Sequence, residues 1–152
     1  MKTFAGLMTA LMLAALVTTG GAQPSTTNVT FIDSNKVATA FAKGMPLLEN
    51  RAFKVHASRR DAPGIAEIHT KDTDIIHVLE GSATFVTGGT AVEPKAIAPD
   101  EIRGKEIKGG ESRRIGKGDV IVVPNGVPHW FKEVEGPLLY YVVKVTSDVA
   151  RR

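Results

Sequence analysis

Four side chains of this sequence are of types that hold metals or move protons, and they sit where extended chain meets a turn: Glu67, His69, Asp74 and His129. Imidazole nitrogens and carboxylate oxygens together are donors for a divalent cation. Glu67 and His69 stand two apart in IAEIHT, so a strand there puts both on one face. His129 lies in the stretch GDVIVVPNGVPHWFKE, residues 118–133, in which an apolar run meets Pro124 and Gly126 before a single imidazole is delivered. Asp74 opens the next apolar stretch, DIIHVLEG. The chain has no cysteine, which rules out thiolate ligands, thiol catalysis and disulfides.

Two further histidines weigh differently. His56 shares the polar face of KVHAS with Lys54 and Ser58, and is either a surface residue or an acid/base group looking into the mouth of a small barrel. His77 follows Asp74 by three, so alternation turns it to the opposite face, where it fills a place an aromatic would also fill. Trp130 and Phe131 read as packing residues that could also wall a pocket. Glu67 has a purely structural alternative as well, an ion pair with Arg59, Arg60 or Arg103.

The elements that must position these groups are short strands. From Arg51 onward, runs of alternating or continuous apolar residues are broken by Gly, Pro and Asp, the pattern of an all-β sandwich or barrel. Strands are expected over 52–58, 65–70, 74–80 and 82–87, with Gly81 closing one and 82–87 returning from it. Residues 120–123 and 138–145 (LLYYVVKV) read as buried strands, the second apolar on both faces and therefore placed between layers or in a subunit interface. The charged stretch 90–118 reads as a long hairpin or flap, with its 90–110 part mobile at the mouth and a short strand near 113–115. Ahead of the barrel, Asp33 or Ser34 caps a helix over 35–43 that Gly44 stops.

Bulk properties narrow the class further. The 152 residues suffice for one domain with a sizeable core, and 43% hydrophobic and 23% charged residues with 15 glycines and 8 prolines describe a turn-rich globular chain. Residues 1–22 combine Lys2, an apolar run and a small-residue end, which reads as a secretory signal peptide cleaved near Ala22, the alternative being an uncleaved anchor. Residues 23–50 would hold a linker and the short helix, and residues 51–148 the barrel. The expected location is secreted or periplasmic, without stable membrane insertion after processing. The formal charge of +3 falls to +2 once Lys2 is removed, and the basic residues are scattered, so nucleic acid is excluded as an expected partner.

The spacing of these residues resembles the cupins, small double-sheet β-barrels defined by GxxxxxHxHxxxxExxxxxxG and GxxxxxPxGxxHxxxN. Gly118, Pro124, Gly126 and His129 match the second motif, with Glu133 in place of its final Asn. In the first motif His69 takes the second histidine, Asp74 the glutamate and Gly81 the closing glycine, while Glu67 replaces the first histidine. The opening glycine is displaced, with Gly64 close by. The resemblance implies a jelly-roll barrel, or double-stranded β-helix, whose mouth holds one divalent transition metal on His69, Asp74, His129 and, in exchange for an imidazole, Glu67. Two imidazoles and a carboxylate suit Fe, Mn, Zn or Ni and leave positions open.

The function expected on that basis is dioxygenase, isomerase or lyase chemistry on a small molecule, with Glu67, Asp74 or His56 as base. The rival is a barrel that captures a sugar or organic acid without catalysis. A homodimer is expected from the two apolar faces of 138–145.

Overall fold

The computed structural model describes residues 28–147. The signal peptide read over 1–22, its cleavage site and linker residues 23–27 lie outside the described residues. Among those described, no helix is long and apolar enough to cross a membrane.

Helix α1 (Ser34–Lys43) begins at Asp33, whose Oδ1 accepts the backbone N–H groups of Asn35 and Lys36 at 3.1 and 3.0 Å. It ends at Gly44, whose φ of +64° lets its N–H turn back to the carbonyls of Ala40 and Phe41. Both caps are those expected. Phe41 meets Tyr141 edge to face, with ring centroids 4.9 Å apart, which seats the helix on the outside of the sheet.

Eleven strands follow: β1 (Met45–Glu49), β2 (Phe53–Arg60), β3 (Ala66–His69), β4 (Asp72–Thr87), β5 (Thr90–Ala91), β6 (Lys95–Ala98), β7 (Glu101–Gly104), β8 (Ile107–Lys108), β9 (Glu111–Gly116), β10 (Val120–Val123) and β11 (His129–Thr146). All pairings are antiparallel. The main sheet has nine strands and runs β1-β2-β11-β3-β7-β6, with β4 joining β11 to β9 and β10. Among the described residues the architecture is an all-β jelly roll with one short helix, α1, ahead of the strands. Sheet pairing starts at Met45, opposite Ala57, ahead of the 51–148 span read as the barrel.

The two long strands, β4 with 16 residues and β11 with 18, pair along nearly their whole length. The expected break at Gly81 is absent. Gly81 is a kink with φ +77° inside one continuous strand, and a Cβ there would collide with the Pro137 carbonyl oxygen. The ladder carries on because β11 offers partners on both sides of the kink.

Packing follows the alternation. Ile76, Val78, Ala83, Phe85, Ile115, Val123, Phe131, Leu138, Tyr140 and Val142 form the main core. A smaller one joins Ala66, Val86, Ala91 and Ile107, with Ile68 and Trp130 against it.

The reading of 120–123 as a buried strand is corrected: Val120 and Val122 are 62% and 58% exposed, and Val123 alone is buried. The reason is topological, since β10 pairs only with β4 and has no layer over its outer side. In 138–145 the inward residues Leu138, Tyr140 and Val142 are buried, but outside the strand is half-covered and Val145 is 41% exposed. The charged stretch after residue 90 is not one hairpin. It resolves into the β6–β7 hairpin, the small β5–β8 pair and β9, which lies along the second half of β4.

Candidate functional site

Strand register assembles the site in two rows. In the first, β3 lies between β11 and β7, so that His129, Glu67 and Arg103 stand side by side across three strands. In the second, Glu49, Lys54, Lys144 and Asp74 are successive partners across β1, β2, β11 and β4. Cross-strand neighbours on one face are within side-chain reach. His69 joins from two residues beyond Glu67.

The turn before β11 ties the rows together: the Gly126 N–H donates to the His69 carbonyl at 2.8 Å, and Asn125 Nδ2 donates to the Thr70 carbonyl at 3.2 Å. Gly126 has φ +80°, the left-handed region that favours glycine.

Four donor atoms converge. His69 Nε2 lies 3.7 Å from Glu67 Oε2 and 3.5 Å from Asp74 Oδ2, and His129 Nε2 lies 3.9 and 3.8 Å from the same two oxygens. Ligand atoms of Glu67, His69 and His129 all fall within 4.8 Å of one another. These separations are too long for strong hydrogen bonds. Donors about 2.1 Å from one ion in tetrahedral array stand about 3.4 Å apart, so the four imidazole–carboxylate separations are each within about 0.5 Å of that value, while the set of donors that lie mutually close is Glu67, His69 and His129.

Electrostatics prepares the donors. His129 Nδ1 is 3.1 Å from the Val127 carbonyl, which fixes the proton there and leaves Nε2 with its lone pair toward the cluster. Burial pushes both His69 and His129 below the ordinary imidazole range, favouring the neutral form that binds metal. For Glu67 burial alone would raise the pKa, but the Arg60 and Arg103 guanidiniums outweigh it and hold the carboxyl below its usual range.

Both arginines reach Oε1, Arg60 at 2.7 Å and Arg103 at 2.6 Å. Oε2 is the oxygen turned toward the imidazoles. Arg60 is itself anchored by donating to the Tyr140 hydroxyl at 3.0 Å and by stacking its guanidinium on Phe131, 4.4 Å from the ring centroid. Arg103 also pairs with Glu101. Arg59, the third partner considered for Glu67, turns to Asp61 instead. The chemistry of the donor set therefore fits a divalent transition metal: two neutral nitrogens and a fixed carboxylate whose second oxygen points inward.

Asp74 is held differently. Both of its oxygens accept from the Lys144 ammonium, at 2.9 and 2.8 Å. Next to it, Asp72 accepts from Lys54 at 2.6 Å and from the Thr146 hydroxyl at 2.7 Å.

These groups line an open cavity of about 480 Å³, with Ile76, Phe131 and Val142 of the core and Ala98, Pro99 and Asp100 of the β6–β7 hairpin also in its lining. The expected flap thus borders the mouth. His56 lines the same cavity, with its Nε2 2.7 Å from Glu49 Oε1, but is not among the converging donors. His77 is exposed on the other side of β4. Trp130 packs in the smaller core and donates to the Gly64 carbonyl at 2.8 Å.

Lys144 is the residue the sequence reading passed over. Its signal was present: it is the one charged residue in LLYYVVKV and has the inward parity of Tyr140 and Val142.

A family profile described as Cupin matches residues 22–151. The chain belongs to the cupin family. Among solved structures, this cupin is similar to a Bacillus halodurans protein at 15% identity over 85% of this chain and 86% of that one, with a TM-score of 0.54. It is similar to a Neisseria meningitidis protein at 17% identity over 77% and 100% of the two chains, TM-score 0.52. The cupin domain of Schizosaccharomyces pombe Cnp3 aligns at 14% identity over 68% and 64%, TM-score 0.51. These likenesses establish the fold. No curated protein matches the cupin by sequence.

Proposed function

We propose that this cupin holds one divalent transition metal (Fe, Mn, Zn or Ni) in the barrel mouth and acts there on a small molecule, by dioxygenase, isomerase or lyase chemistry. The observation that carries the reading is the convergence of His69, His129 and Glu67, with Asp74 Oδ2 within 4 Å of both imidazoles. When bound, such an ion would supply Lewis acidity or a site for O2.

The protein's own groups have separable tasks. Arg60 and Arg103 hold Glu67 as a carboxylate, which makes it a fixed ligand and a poor proton acceptor. The Val127 carbonyl sets the His129 tautomer. Of the bases considered, His56 is the better placed: it lines the cavity, is unburdened by arginines, and has Glu49 2.7 Å away to orient its ring and take up charge. The core wall of Ile76, Phe131 and Val142 keeps water from the inner side.

One observation favours a second reading, a barrel that binds a sugar or organic acid without turnover. Lys144, Arg60 and Arg103 already balance the two carboxylates that a cation would otherwise neutralise. Metal analysis of untagged protein, with thermal shifts on added Mn, Fe, Zn and Ni, decides between them. The metal reading expects near-stoichiometric metal and a stabilisation that disappears in the His69→Ala/His129→Ala double variant. Metal-free protein with no such shift rules it out. Bound metal without turnover on carbonyl or O2-dependent substrates supports the binding reading.

The proposed setting is outside the cytoplasm, after cleavage near Ala22. Amino-terminal sequencing of the exported protein tests this, and an intact Lys2 would refute it. A homodimer is proposed as well, because Ile75, Val120, Val122 and Val145 present an exposed apolar face on the outside of the sheet.

A further inference from the structure

Asp74 and Glu67 are both carboxylates within 4 Å of both imidazoles, yet their other partners differ in kind. Glu67 gives one oxygen to its arginines and keeps the other for the cluster. Asp74 gives both oxygens to a single ammonium. The Lys144 side chain is 14% exposed and that of Asp74 5%, so the pair is largely out of water and its attraction little screened.

Nor is Lys144 free to leave. Register sets it directly opposite Lys54, whose ammonium is committed to Asp72, so Asp74 is the carboxylate that offsets the second of two like charges on adjacent strands.

We propose that Lys144 is a positioning residue that withholds Asp74 from the metal, so that the ion is held by Glu67, His69 and His129 alone and keeps an additional position open for substrate. This rests on the metal reading above. For Asp74 to ligate, an oxygen that now accepts from the ammonium has to share its charge with the ion, which weakens the pair with Lys144 and sets the ion beside a cationic side chain. The three-donor set avoids both costs. The device is absent from sequence motifs because the lysine lies 70 residues from the aspartate it engages.

The test is a double-variant cycle on Mn2+ affinity, read by titration calorimetry and by the loss of the free Mn2+ signal in electron paramagnetic resonance. Lys144→Met is expected to bind Mn2+ at least tenfold tighter than wild type. Asp74→Asn is expected to weaken the wild type less than threefold but to cancel the gain in the Lys144→Met background. Lys144→Arg, which keeps the cation, should behave as wild type and shows that the fold tolerates change at this position.

If Asp74→Asn weakens wild-type binding as severely as His129→Ala does, Asp74 already ligates and the proposal is wrong. If the gain survives in the double variant, Lys144 acts only as a repelling charge, and the withholding role is again wrong. Failure of wild type and Lys144→Met alike to bind Mn2+, Zn2+, Fe2+ or Ni2+ overturns the metal reading and this inference together. Binding by wild type that Lys144→Met does not tighten overturns this inference alone.

Discussion

The two ends of the β4–β11 ribbon differ in polarity. Beyond Gly81, the inner side carries Ala83, Phe85 and Phe131, and the outer side carries Thr84, Glu133, Glu135 and Arg114 in hydrogen-bonded pairs. Before Gly81 the inner side continues the core with Ile76, Val78, Leu138, Tyr140 and Val142, and only at the mouth does the arrangement invert. Asp72, Asp74 and Lys144 face the cavity, while the outer side presents Ile75 and Val145, with Val120 and Val122 on the neighbouring edge strand and Phe53 on β2.

The end beyond Gly81 is an ordinary sheet, apolar inward and polar outward. The mouth end cannot be explained by folding alone, because charge turned inward costs stability and apolar surface turned outward gains none. The inside of this end is shaped for a ligand and, we propose, its outside for a second copy of the chain.

The sharpest break of that contrast comes from the ordinary end. Phe85 is fully buried among Phe131, Val78 and Ile115, and Phe85→Ala is expected to cost about 4 kcal/mol of unfolding free energy by transfer and cavity terms together. Urea denaturation measures it, with metal present and absent. A loss below about 1 kcal/mol, or one that added metal restores, would mean that the packing around Phe85 does not hold the fold independently of the site.

Next in size is Glu67→Ala at the mouth. It leaves Arg60 and Arg103 without their shared carboxylate in a site where all three are largely buried, a loss of about 3 kcal/mol. The same variant should abolish metal binding. Unchanged stability would show that the arginines re-pair with Glu101 and Tyr140 without cost.

A smaller, pH-dependent effect separates the two ends again. In metal-free protein His69 and His129 have folded pKa values depressed by burial, so as pH falls through about 6.5 the unfolded chain takes up protons first. Their contribution is complete above that pH and is lost as pH falls toward the folded values. Glu67 and Asp72, also depressed, lose theirs only below the ordinary carboxylate range. Thermal melts between pH 7.5 and 5 should therefore show a decline that His129→Gln flattens and Phe85→Ala leaves in place. A flat profile for wild type would contradict the buried neutral state of both imidazoles.

What the sequence could disclose divides along the same line. The turn from Gly118 to His129 was legible because its glycine and proline positions are local, and Glu67 beside His69 followed from a two-residue repeat. Asp33 and Gly44 marked the helix ends for the same local reason. The arginine partners of Glu67 were legible as a set, Arg59, Arg60 or Arg103, but which of them reach it is decided by register, and so is the pairing of Lys144 with Asp74, which was hidden. Whether 120–123 is buried was equally out of reach, since an apolar run does not reveal whether a neighbour lies on one side of it or two. The break expected at Gly81 failed because a glycine with positive φ serves a kink as well as a turn, and only the partner strand decides.

The smallest expected effect on folding carries the outer face. Val122, Ile75, Val143 and Val55 are successive cross-strand partners on β10, β4, β11 and β2, and form an apolar row that helix α1 leaves open at the β10 end. β10 is an edge strand with four apolar residues and no charge or proline to blunt it, which invites pairing with another chain. Val120→Asp/Val122→Asp should leave intrinsic stability within about 0.5 kcal/mol, because both side chains are already exposed. The solution mass should nevertheless fall from dimer to monomer at micromolar concentration, while metal affinity stays at the wild-type value. A wild type that is already monomeric would remove the dimer. The apolar outer face would then need another explanation, but the inward charge would still mark the ligand site, since the two sides of the strand are read by separate measurements.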